Sequence, residues 1–314
     1  MEAYPDGDAY KQARWVLPSQ LVARDTYRCP ALQDYDPIVP ENKTSQRQLR
    51  TYGIREFAED KSIFGLQSEE LAIQGFTVIP AILGTIDLLR VRDLIDSTYE
   101  IQRKEIDETE LARIGEADIV RCPLSYDDAF LEIAANTQIL ALVRQILGTN
   151  VVLMTQNAII NRPHDQNFQA AWHRDLNYQH FTSSRPLAIS ALYCIDDFSV
   201  ETGGTHILPG SHKIESFPTV QYAERHALSL TADAGSVLVF DSMIFHRTGD
   251  NRSDGTRRAV NHVYTLPIIQ QQISLPDALG ERTFLDPDLR TLFGYTFQPP
   301  KSSDDWRRQK LGRD

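Results

Sequence analysis

The chain has 314 residues, 41% hydrophobic and 24% charged, an ordinary globular balance that permits one large domain or two smaller ones. A formal net charge of -11 and a pI near 5.2 argue against a nucleic-acid or anionic-membrane surface. Cys29, Cys122 and Cys194 are too scattered for a disulfide framework or a thiolate zinc site, and no apolar run approaches the roughly 18 residues of a membrane span. The first residues lack a basic segment followed by an apolar run, so the expectation is a soluble cytoplasmic protein.

Residues 1–65 combine scattered prolines with many charges and read as an extension or cap. Ser68, followed by Glu69 and Glu70, has the character of a helix N-cap with acids in the first turn, and Gly75 would close that helix. Phe76–Ile79 reads as a strand ended by Pro80. From Ile86 to about Lys104 the apolar residues follow a helical stripe, and a further helix is predicted over 137–147 with Gly148 as its C-cap. The stretch 105–136 is polar and mixed and yields no assignment.

From Asn150 onward the texture changes. Strands are predicted at 151–154 with 158–160, at 186–195, at 237–240 and at 259–264, separated by Gly, Asp, Asn and Pro clusters. Short β runs of this kind predict a mainly β fold with flanking helices, a sandwich or jelly roll rather than βαβ units. A surface helix is expected around Trp306–Lys310. The organisation is therefore an extension (1–65), a β-rich domain with packed helices (66–268) and a C-terminal extension (269–314).

His173 and Asp175 lie two apart, so on an extended segment both leave the same face. Alone, such a pair is as well explained by a solvated strand end. His246, about seventy residues later and just past a hydrophobic strand, would complete two imidazoles and one carboxylate on one side of a metal. Arg257 opens the next predicted strand. If that strand forms a hairpin with the one before it, Arg257 starts near the barrel interior, where its planar fork suits a carboxylate.

Taken jointly, these residues resemble the phytanoyl-CoA dioxygenase family of Fe(II)/2-oxoglutarate oxygenases over roughly 68–268. The supporting pieces are Gly75–Pro80, Trp172-His173-Arg174-Asp175, Glu201-Thr202-Gly203-Gly204, Leu208-Pro209-Gly210-Ser211-His212-Lys213 and Asn251–Arg258. The resemblance implies a double-stranded β-helix, a cupin-like jelly roll. It implies Fe(II) on His173, Asp175 and His246, leaving positions for 2-oxoglutarate and dioxygen, with Arg257 anchoring the cosubstrate carboxylate. Thr248 matches a hydroxyl position touching that carboxylate, and Gln156 matches a glutamine that reaches the cosubstrate in some members. His206 and His212 read as structural. A carboxylate at 175 fills the place a halide would take, which favours hydroxylation over halogenation.

A small-molecule substrate, from secondary metabolism, follows from the breadth of the family. Arg121, Arg174 and Arg185 could meet an anionic group, and Trp172, Tyr178 and Phe181 an apolar or ring-bearing one; surface or packing roles fit each as well. The arm and the tail leave room for a homodimer contact. Two other readings stay open: a cupin-like isomerase or hydrolase, which would not need Arg257 facing the metal, and a non-catalytic binding protein on the same barrel.

Overall fold

The computed structural model describes residues 62–164, 168–176, 181–281 and 286–312. Before the barrel come helix α1 (Gly65–Ile73), strand β1 (Phe76–Ile79), the long helix α2 (Thr85–Glu105), α3 (Glu108–Arg113), β2 (Ile119–Arg121), α4 (Ala129–Ala134) and α5 (Thr137–Leu147). The barrel continues through β3 (Val152–Asn161), β4 (Ala188–Cys194), β5 (His206–Ile207), α6 (Val220–His226), β6 (Leu228–Ser229), β7 (Val237–Asp241), β8 (His246–Arg247) and β9 (Arg257–Thr265). Helices α7 (Leu275–Leu279), α8 (Pro287–Leu292) and α9 (Ser303–Lys310) follow. The predicted surface helix near 306 is α9, which has no buried residue.

Two antiparallel sheets face each other. The larger runs β1-β7-β4-β9-β3-β2 and the smaller β6-β5-β8. The period-two alternation of strands splits the larger sheet into two chemistries. Ile189, Ala191, Tyr193, Val237, Val239, Val260 and Tyr264 join the core beneath the helices. Leu192, Cys194, Leu238, Phe240 and Ala259 point the other way, with Ile207 of the smaller sheet, into the space between the sheets. Both faces of β4 are buried, which explains its near-continuous apolar run.

The helical layer follows from its own patterning. On α5, Ile139, Leu140, Leu142, Val143 and Leu147 are buried, the three-and-four spacing of one helix face. Asn136 caps it by accepting from the backbone N–H of Gln138 and Ile139, and Gly148 ends it at φ 97. Leu275, Leu279, Leu292 and Phe293 enter the same core, so the tail packs on the helical side of the barrel.

Two sequence expectations differ from the structure. Helix α1 starts at Gly65 rather than after Ser68. Gln145 donates to the Ser68 hydroxyl at 2.7 Å, so that hydroxyl ties α1 to α5 instead of capping it. The strand carrying His246 does not pair with β9 in a hairpin: β8 pairs with β5 in the smaller sheet, and β9 lies between β4 and β3 in the larger. In a jelly roll, successive strands cross between sheets, and this crossing puts His246 and Arg257 on facing walls of one cavity.

Candidate metal centre

The expected constellation converges. The donor atoms of His173, Asp175 and His246 all lie within 4.8 Å of one another. His173 and His246 form an isolated antiparallel bridge, each backbone N–H donating to the other's carbonyl at 3.0 and 3.1 Å. The bridge extends the smaller sheet by one residue beyond β8 and brings the imidazole centroids to 4.4 Å. Asp175 is fixed by its own N–H donating to Ser242 at 3.0 Å.

Each imidazole is oriented the same way. His173 Nδ1 sits 2.8 Å from the carbonyl of Ala171, and His246 Nδ1 sits 3.1 Å from that of Ile244, in both cases two residues back. Donation from Nδ1 fixes the tautomer and leaves Nε2 with its lone pair free for a metal. The carboxylate is divided between two tasks. Its Oδ2 accepts from Ser190 Oγ at 2.5 Å and Asn261 Nδ2 at 3.1 Å, while Oδ1 faces His246 Nε2 at 3.4 Å. Ser190 is in turn 2.8 Å from Ser242 Oγ.

Burial and mutual charge set the protonation. Burial, reinforced by His246, drives His173 down to about 4. Burial would raise Asp175, but His246, His173 and the Ser190 hydroxyl outweigh it and hold the carboxyl well below the usual range. His246 rises because Asp175 outweighs the desolvation that opposes its charge. The ionised carboxylate at neutral pH supplies the negative charge that a divalent cation needs.

Arg257 faces the same cavity, with Thr248, Asn261, Gln169, Thr205, Ile159, Leu192 and Phe240. It is 2% exposed, its guanidinium lies 4.4 Å from the Phe198 ring centroid, and Nη2 donates to the Gly203 carbonyl at 2.9 Å. Its Nε has no partner, and among the described residues no carboxylate forms an ion pair with it. Burial lowers it to about 10, so it stays charged at neutral pH. A buried, unpaired cation beside a two-histidine, one-carboxylate set is the complement of an anion that also chelates a metal. These residues fit Fe(II) and a dicarboxylate cosubstrate.

Other sequence candidates lie elsewhere. Gln156 turns to the helical face, where Nε2 donates to Phe130 at 2.8 Å and meets His262 Nε2 at 2.7 Å; it does not reach the cavity. Arg174 is buried against backbone carbonyls on the outer side of the smaller sheet, Arg121 pairs with Glu116, and Arg185 is exposed. Phe181 packs beside Met154 and Leu176, and Trp172 beside Leu208, Ala223 and Phe245; Tyr178 lies outside the described residues. His212 is buried where a Cβ on Gly75 would meet it at 2.5 Å, in keeping with a structural role. Ser190 and Asn261 are additions that the sequence reading does not contain. Ser190 is a polar residue within an apolar strand run, the signal that could have marked it, whereas Asn261 stands beside His262 and carries no such signal.

A jelly roll holding a half-buried two-histidine, one-carboxylate donor set defines a metal-dependent enzyme class. The model of the phytanoyl-CoA dioxygenase (PhyH) family matches residues 72–259. An uncharacterized protein of Mycobacterium tuberculosis is 32% identical over 262 residues, covering 81% of this chain and 88% of its own length. Human peroxisomal phytanoyl-CoA dioxygenase is 23% identical over 66% of this chain and 70% of its own. Among solved structures, the epimerase SnoN in complex with Fe3+, alpha ketoglutarate and nogalamycin RO superposes with a TM-score of 0.52 at 17% identity, over 73% of this chain and 94% of that one. At that identity the likeness carries the fold alone. The chain belongs to the phytanoyl-CoA dioxygenase family and is an Fe(II)/2-oxoglutarate-dependent oxygenase, with dioxygen as the oxidant.

Proposed function

We propose that this enzyme hydroxylates an unactivated C–H bond of a small molecule, with His173, Asp175 and His246 as the iron ligands and Arg257 and Thr248 holding the far carboxylate of 2-oxoglutarate. The observation that carries the reading is the placement of a buried, ion-unpaired Arg257 in the same cavity as the three donors. An isomerase or hydrolase on this barrel that consumes no 2-oxoglutarate would have no use for that cation. Bound iron supplies the oxidation itself, in which 2-oxoglutarate loses CO2 to give succinate and a substrate C–H bond is oxidised.

The protein's part is placement. Ser190 and Asn261 occupy Asp175 Oδ2, which leaves Oδ1 as the single oxygen turned toward the metal position. A one-oxygen carboxylate ligand keeps more of the coordination sphere open for cosubstrate and oxidant. Ile159, Leu192 and Phe240 keep the wall around the Arg257 charge apolar, so its attraction for a carboxylate is weakly screened. Asp175 as a carboxylate ligand favours hydroxylation over halogenation. The small-molecule reading is supported by relatives named for ectoine and for phytanoyl-CoA, and secondary metabolism is its proposed setting. In this reading residues 66–268 form the oxygenase domain, flanked by the attachments 1–65 and 269–314, which offer a homodimer contact.

The test is an anaerobic titration of metal-free protein with Fe(II) and then 2-oxoglutarate, following the weak visible charge-transfer band of a chelated oxo-acid. The band should form in the wild type and be lost or weakened in Asp175→Ala and Arg257→Ala. Absence of the band from the wild type would overturn the reading. Succinate formed in step with a hydroxylated product, in a screen of candidate small molecules, would then identify the reaction.

A further inference from the structure

Arg174 stands between two ligand positions, yet its side chain leaves the cavity altogether. Strand alternation sends His173 and Asp175 inward, so residues 172 and 174 emerge on the outer face. Across the bridge, His246 points inward and Phe245 outward, while Arg247, which also borders the cavity, turns its guanidinium toward Trp172. In the antiparallel pairing of His173 with His246, residue 174 comes opposite 245 and residue 172 opposite 247. Both outer pairs stack a guanidinium on a ring: Arg174 Cζ lies 3.9 Å from the Phe245 centroid, and Arg247 Cζ lies 5.4 Å from that of Trp172.

Arg174 goes further than its neighbour. It is 2% exposed, with Nη1 donating to the Glu215 carbonyl at 3.0 Å and Nη2 donating to those of Ser211, at 3.1 Å, and Ile214. The same loop grips the other ligand strand, since Phe245 N–H donates to Ser211 Oγ at 2.8 Å and Leu208 N–H to the Phe245 carbonyl at 2.9 Å. One end of the 208–215 loop is thus fastened beside His246, and the other between His173 and Asp175.

We propose that Arg174 is a positioning residue for the metal centre. From the outer face it locks the two ligand-bearing strands to each other and to the 208–215 loop, setting the spacing of His173, Asp175 and His246 before the metal arrives. The inference rests on the reading of those three residues as the iron ligands. Lysine would bring a charge but not a planar fork that serves three carbonyls while lying flat on Phe245.

The test compares the wild-type full chain with Arg174→Lys, Arg174→Met and Phe245→Leu. The readouts are Fe(II) affinity under anaerobic conditions, the visible spectrum of the Co(II)-loaded protein, and Tm without metal. The Arg174 variants should bind Fe(II) about 10-fold or more weakly, with an altered Co(II) ligand-field spectrum, and Phe245→Leu should shift both in the same direction by less. Variants that lose only metal-free Tm, with Fe(II) affinity within about twofold of wild type and an unchanged Co(II) spectrum, would overturn the proposal. If Arg174→Met does not fold, Arg174→Lys and Phe245→Leu decide by the same criterion. A wild type that takes up neither ion would overturn the ligand reading and this proposal with it. A metal-binding wild type with indistinguishable variants would overturn this proposal alone.

Discussion

Arg257 and Gly203 are joined by a hydrogen bond from Nη2 to the glycine carbonyl at 2.9 Å, a neutral acceptor where a buried cation would ordinarily have a carboxylate. The approach depends on glycine at 203, where φ is +76 and a Cβ would lie 2.4 Å from the Gly249 carbonyl oxygen. The partial satisfaction of Arg257 leaves most of its charge for a ligand. Arg257→Met should therefore weaken 2-oxoglutarate binding by about 2–4 kcal/mol, roughly 30- to 1000-fold, while Fe(II) affinity stays close to wild type. Calorimetric titration of each ligand checks both halves, and equal loss of metal binding would count against a cosubstrate role.

Ser190 tests the division of labour within the Asp175 carboxylate. Its hydroxyl sits 2.5 Å from Oδ2, and Ser242 backs it at 2.8 Å. Ser190→Ala should weaken Fe(II) binding by about 10-fold, because the carboxylate loses the donor that holds Oδ2 off the metal position. Asn261→Ala should act in the same direction, and the double variant should fall short of the sum, since both donors serve one oxygen. Metal titrations of the three proteins measure this.

Much of this centre was legible in the sequence, although the spacing of His173, Asp175 and His246 pointed to it only together with the family resemblance. Two residues on one face and a third past a hydrophobic strand need no knowledge of which strands pair, whereas the expected place of Arg257 rested on a hairpin that does not form. The pairing itself was not legible. Local sequence shows only that 237–240 and 259–264 are strands; that β9 lies between β4 and β3 depends on contacts among residues far apart in the chain. Gln156 shows the cost: the strand is correctly read, but its parity in the sheet puts residue 156 with Ala158 and Ile160 on the helical side. Arg174 shows it again, since only the register with Phe245 reveals what its guanidinium meets.

The Gln156–His262 contact has a consequence for stability rather than chemistry. Gln156→Ala should destabilise the fold by about 1–3 kcal/mol, because it leaves the Phe130 carbonyl and the buried His262 ring without their partner. The KM for 2-oxoglutarate should not change. A raised KM with unaltered Tm would put Gln156 back at the cosubstrate.

His262 also shapes the acid limb of stability. Burial drives it down to about 3 from an ordinary 6.5, so the unfolded chain takes up a proton that the folded one refuses. Stability should therefore fall as pH drops from about 6.5 toward 3, and His262→Gln should show a shallower decline over that window. Chemical denaturation at a series of pH values measures the slope.

Asp241 has the opposite sign. Burial raises it to about 6 from 3.8, although the Met243 N–H bond at 2.9 Å and the charges of Lys213 and Arg174 pull it down. Between these values the folded protein holds a proton that the unfolded chain has released, so stability falls as pH rises from about 4 to 6. Asn at this position keeps an acceptor for Met243 and never ionises. Asp241→Asn should be more stable than wild type by about 1–3 kcal/mol at pH 7.5, and the difference should vanish near pH 4. A variant equally stabilised at both pH values would show that packing, not ionisation, separates the two proteins. A variant destabilised at pH 7.5 would show that the ionised carboxylate contributes more through Lys213 and Arg174 than burial takes away.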